Sequence, residues 1–110
     1  MTEDVILEDG QFEVEGVVYE LRFNLQKIKT VELMTKQSVS ATTVNNNGVL
    51  PLQLMESLFT MSLVESKGLK AVSQKKATEI WEPFLEENGA LTVNGLIVDK
   101  LQEDVGFLFR

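Results

Sequence analysis

The chain has 110 residues, 44% of them hydrophobic and 25% charged, and a formal net charge of −7. That length and balance fit one globular domain able to bury a little under ~70% of its unfolded surface, with no disulfide or metal needed as a staple. Neither cysteine nor histidine occurs, which excludes disulfides, thiol catalysis, the commonest general base near neutral pH and the commonest zinc ligand.

The opening Met1-Thr2-Glu3-Asp4 carries acid where a secretory signal carries base, and no apolar run approaches the ~20 residues that span a bilayer. A cytoplasmic protein without a membrane partner is therefore expected. Excess acid also argues against nucleic acid, whose phosphates would repel it. The charges are unevenly spread: seven acids and no base over residues 1–20, four bases and one acid over 22–36, and none over 37–55. Isolated surface charges of this kind are energetically weak and read first as solvated faces.

In chain order, residues 11–14 and 17–23 alternate apolar and polar side chains, with Glu15-Gly16 between them, the pattern of a β-hairpin with a tight turn. Val5, Ile6 and Leu7 are candidates for a short preceding strand. Asn24 is placed to cap a helix over 24–36 whose apolar face is Leu25, Ile28, Val31 and Met34. Residues 37–50 are rich in Ser, Thr and Asn and end on Asn47-Gly48, so a loop is expected, with room for one short strand. Pro51 suits a first helical position, and the spacing predicts a helix to Ser66 with Gly68 as its stop. Its apolar residues cover roughly half the circumference or more, wider than one packing face needs. Either the domain buries this helix on two sides, or part of the arc is left open to a partner.

Ser73 can cap a third helix ending at Asn88-Gly89, with a clean stripe of Ala77, Ile80, Trp81, Phe84 and Leu85 and a kink or irregularity expected at Pro83. Residues 91–98 contain Asn94-Gly95, a pair favoured in hairpins, yet Thr92 is a usable cap and Ile97, Leu101 and Val105 share one helical face. A final helix stopping at Gly106 is the preferred reading. Phe107, Leu108 and Phe109 then stand at the extreme end, where they must pack on their own domain or on a partner. The sum is an α+β fold: an N-terminal β-hairpin packed against about four α-helices in one small domain spanning 1–110.

No arrangement of reactive residues emerges. There is no glycine-rich phosphate cradle. Glu82 and Glu86 share a helical face, but so do acids on almost any exposed acidic helix. Glu3, Asp4, Glu8 and Asp9 lack calcium-loop spacing. Ser57, Ser62, Ser66 and Ser73 have no histidine to activate them. A non-enzymatic protein-binding domain without cofactor or metal is expected. The candidate contact residues are Leu54, Met55, Leu58 and Met61 on the wide helix, with Phe107, Leu108 and Phe109 at the tail.

The order of segments adds a resemblance. An acidic start leads into Phe12-Glu13-Val14-Glu15-Gly16-Val17-Val18-Tyr19-Glu20-Leu21-Arg22-Phe23 and a helix carrying Val31-Glu32-Leu33. A polar stretch ending Asn47-Gly48-Val49-Leu50-Pro51-Leu52 follows, then a Leu/Phe-rich helix, a Glu-rich helix and a last helix closing on Gly106-Phe107. Over nearly the whole chain this resembles the small tail assembly chaperones of long-tailed phages of Gram-positive hosts. The resemblance implies a protein absent from the finished particle. It would coat the long apolar tape measure protein and keep it soluble while tail tube subunits assemble. It also implies that this chain is the shorter product of a frameshifted pair, that self-association is possible, and that no catalytic residue is involved. A small structural tail or connector protein and an acidic host adaptor module fit the same composition.

Overall fold

The computed structural model describes residues 7–110. Its first regular element is the expected hairpin, in which β1 (Gln11–Val14) and β2 (Val17–Leu21) pair antiparallel, Phe12 opposite Tyr19 and Val14 opposite Val17. The connecting turn holds Glu15 at φ 51° and Gly16 at φ 84°, the two positive values a type I′ turn requires. Alternation sends Phe12, Tyr19 and Leu21 into the core. Of the strand considered ahead of the hairpin, Val5 and Ile6 lie outside the described residues, and Leu7 is exposed and in no strand.

Asn24 caps α1 (Leu25–Thr35), its Oδ1 accepting from Lys27 N at 2.8 Å. The face expected to be apolar is split. Ile28 and Val31 are buried, whereas Leu25 and Met34 are 44% and 56% exposed.

The stretch expected to be a loop holds another helix, α2 (Val39–Asn45), giving five α-helices among the described residues where about four were expected. Ser38 Oγ accepts from Ala41 N at 3.1 Å and Glu32 Oε2 from Val39 N at 2.6 Å, so two first-turn amides find partners. Ser, Thr and Asn compete with helix through local hydrogen bonds. Here the buried Val39 and Thr43 anchor the segment, and Thr43 turns its hydroxyl back onto the Val39 carbonyl at 2.7 Å.

Helix α3 (Leu52–Ser62) is shorter than expected, with Pro51 as its N-cap instead of its first residue. Leu63 leaves helical geometry at ψ 128° and begins β3 (Leu63–Glu65), which pairs with β2 through Leu21 opposite Leu63. A 3-10 turn at Lys67–Leu69, with Gly68 at φ 77°, returns the chain as β4 (Lys70–Ala71). The result is a four-stranded antiparallel sheet in the order β1-β2-β3-β4. An isolated hairpin would leave the second edge of β2 with open N–H and C=O groups; pairing with β3 satisfies them and prevails over a further turn of α3.

Ser73 caps α4 (Gln74–Asn88) by accepting from Lys76 N at 3.2 Å, and Gly89 ends it at φ 87° with its N–H on the Leu85 carbonyl. The helix continues on both sides of Pro83. Helix α5 (Ala90–Val105) passes through Asn94-Gly95 and starts two residues ahead of Thr92, with Gly89 as its N-cap. Asn94 serves tertiary structure: its Oδ1 accepts from Leu50 N at 2.8 Å and its Nδ2 donates to the Gly48 carbonyl at 2.7 Å. Helix α5 stops at Gly106 as expected, and the glycine then opens a 3-10 turn, Gly106–Phe109.

The fold is α+β, with one hydrophobic core shared by the sheet and the helices. Its centre is aromatic. Phe59 of α3 lies 5.8 Å from Phe12 of β1, 5.1 Å from Trp81 and 5.3 Å from Phe84 of α4, ring centre to ring centre. No helix among the described residues is long and apolar enough to cross a membrane.

Candidate functional site

The residues expected to meet a partner divide sharply. Leu54 and Leu58 are fully buried and Met55 is 2% exposed, while Met61 is half-buried against the core. The partner-facing role expected of Leu54, Met55 and Leu58 is therefore corrected. The arc is wide because α1, α4 and α5 all pack on α3, so one helix meets several neighbours of its own domain. Only Leu52, in its first turn, stays open at 57%.

The tail is likewise not a frayed end. Its 3-10 turn packs on α5 and α2, and Leu108 and Phe109 join the edge of the core. Phe107 alone keeps half of its surface, 49%, in solvent.

Other large apolar side chains are exposed as well. They are Leu33 and Met34 on α1, Val44 on α2, Val49 just before α3, and Leu91 in the first turn of α5. The supporting elements are fastened together. Glu32 of α1 holds the first amide of α2, α2 touches the tail turn, and Asn94, one turn beyond Leu91, grips the backbone on either side of Val49. These hydrogen bonds and contacts fasten the elements that carry the exposed groups. A signal for part of this surface was present in the sequence: Leu25, Lys29 and Leu33 recur at i, i+4 and i+8, on the side of α1 away from Val31.

Charged groups tie the end of β2 to the start of α1 and to α5. Glu20 is buried, accepts from Arg22 Nε at 2.5 Å and receives a longer bond from Gln11 Nε2 at 3.4 Å. Burial raises its pKa, but hydrogen bonds from Arg22 and Gln11, together with the nearby Ser66 hydroxyl, outweigh that and hold the carboxyl below its ordinary value. The same contact keeps Arg22 more firmly protonated. Asp104 of α5 accepts from Phe23 N at 2.9 Å and so fixes the entry to α1. Lys27 donates to the Arg22 carbonyl at 2.8 Å; burial lowers its pKa, partly offset by Asp104.

A carboxyl with a lowered folded pKa stabilises the fold above its unfolded value, near 4.5 for Glu20, and that contribution disappears as pH falls through the lower folded value. Glu20→Gln is expected to cost about 1 kcal/mol at neutral pH, a modest figure because Arg22 is half exposed. The gap to wild type should close below pH 4.5. Urea titrations across the acid range check this; a gap that widens in acid would contradict it.

Among the described residues, no group of three or more acids is arranged to hold a metal ion. Glu82 and Glu86 remain exposed on α4, and Ser73 is engaged in capping. What the arrangement offers chemically is contact: exposed apolar groups on a rigid acidic body. Comparison with family models, with curated proteins and with solved structures finds no match to this chain.

Proposed function

We propose that this chain is a non-enzymatic tail assembly chaperone that binds the tape measure protein of a long-tailed phage and keeps it soluble while the tail tube is built. The observation that carries the reading is the set of exposed apolar side chains Leu33, Met34, Val44, Leu91 and Phe107 on fastened elements. Large apolar groups left exposed on an acidic chain are candidate points of protein contact. The order of segments supplies the family. A tape measure helix would lay its apolar face on these groups, while the net charge of −7 turned outward would keep neighbouring complexes apart. The chain would act in the host cytoplasm.

A chaperone must leave before the particle is finished. Mass spectrometry of purified particles and of the lysate they came from tests this. The chain is expected in the lysate, bound to the tape measure protein, and absent from the particles. Recovery in particles at a fixed ratio to the tube subunit would favour a structural tail protein instead.

A further inference from the structure

The tip of the hairpin and α4 enclose an open groove of about 460 Å³, lined by none of Leu33, Met34, Val44, Leu91 and Phe107. Val14, Val17, Ile80 and Pro83 give it apolar walls, and Glu15, Glu65 and Glu79 line it against a single base, Lys76. Proline at 83 supplies no N–H, so the carbonyl of Glu79 lacks its usual helical partner. The groove thus collects acceptors and negative charge beside apolar surface. The hairpin turn, with Glu15 at φ 51°, brings that residue into the lining of the groove.

We infer that this groove takes a cationic, apolar segment of a partner protein, whose Lys or Arg side chains meet Glu15, Glu65 and Glu79 while its apolar side chains rest on Val17 and Pro83. Charge complementarity selects that occupant: an acidic segment would be repelled, and a purely apolar one would leave carboxylates unpaired at the rim. The inference goes beyond the chaperone reading and does not depend on it, because none of the exposed apolar groups on α1, α2 and the tail lines the groove.

The test uses the whole chain, labelled with ¹⁵N, and a synthetic peptide of about 18 residues with Leu and Lys at helical spacing. Its counterpart carries Glu for every Lys. The Leu/Lys peptide is expected to shift the amides of residues 14–19, 65 and 76–83, and to bind several-fold more weakly as salt rises from ~0.05 to ~0.5 M. Glu15→Lys combined with Glu79→Lys changes two exposed side chains that make no hydrogen bond among the described residues. The pair should leave the melting temperature within a few degrees, weaken the Leu/Lys peptide at least ~10-fold and admit the Leu/Glu peptide in its place. Shifts that map elsewhere, or that survive the double variant, overturn the inference. So do shifts at the same amides on concentrating the protein alone, which would make the occupant a second copy of this chain.

Discussion

Trp81→Ala is expected to lower folding stability by about 3–5 kcal/mol, the largest loss at any single position considered. Trp81 is only 4% exposed, and its ring lies 5.1 Å from Phe59, which in turn packs on Phe12 and Phe84. That cluster joins β1, α3 and α4, so truncation opens a cavity where sheet and helices meet, and it removes aromatic contacts beyond the buried area. Surrounding side chains are held by their own partners and collapse only in part. For a domain of this size each kcal/mol moves the melting temperature by roughly 4–8 °C, so a drop well above ~10 °C should appear in circular dichroism. A loss below ~1 kcal/mol would mean that the aromatic cluster does not hold the two layers together.

Asn94→Leu is expected to cost about 2–4 kcal/mol, although leucine suits a helix interior better than asparagine. The side chain is 8% exposed and makes two hydrogen bonds, to Leu50 N at 2.8 Å and the Gly48 carbonyl at 2.7 Å. Leucine would bury an amide and a carbonyl with no partner, and that penalty exceeds the gain in helix propensity. Asn94→Asp separates the two bonds: the acceptor for Leu50 survives, but a carboxylate now faces the Gly48 carbonyl. Its folded pKa should be raised, so the variant is most stable below the ordinary carboxyl pKa of about 4 and loses stability as pH rises from there toward the raised folded value. Denaturant midpoints in acid and at neutral pH check both variants. An Asn94→Leu protein as stable as wild type would show that the 48–50 backbone finds other partners.

These two positions also mark how much of the fold was legible in the sequence. Trp81 was, because Ala77, Ile80, Trp81 and Phe84 keep strict helical spacing between a serine cap and a glycine stop. The hairpin was as well, since alternation brackets Glu15-Gly16. Asn94 was not: Asn-Gly is turn chemistry in isolation, and only the distant backbone at 48–50 explains its place within α5. Helix α2 was missed for a related reason, as its Ser, Thr and Asn residues favour turns and what stabilises it comes from Glu32 and the tail turn. Between Ser62 and Leu63 no glycine or proline marks the change from helix to strand; the open edge of β2 decides it.

The proposed contact surface was less legible than the fold. Width of an apolar arc tells how much surface must be covered, not what covers it, so Leu54, Met55 and Leu58 could be read as partner sites although they are core. Their fate depends on three other helices converging on α3. Leu33, by contrast, is set by the geometry of its own helix, opposite Val31, and stands 71% exposed.

The most direct test of the proposed chaperone role is co-expression with a tape measure protein from the same genome, followed by measurement of how much of that partner stays soluble. The wild-type chain should keep it soluble. Leu33→Ser, Val44→Ser and Phe107→Ser together should reduce the soluble fraction at least ~5-fold, because exposed apolar anchors dominate such contacts. The same triple variant should itself melt within a few degrees of wild type, since substitutions at exposed sites rarely cost more than ~0.5 kcal/mol each. A triple variant that still solubilises the tape measure protein as well as wild type, or a wild-type chain that fails to do so, would contradict the account.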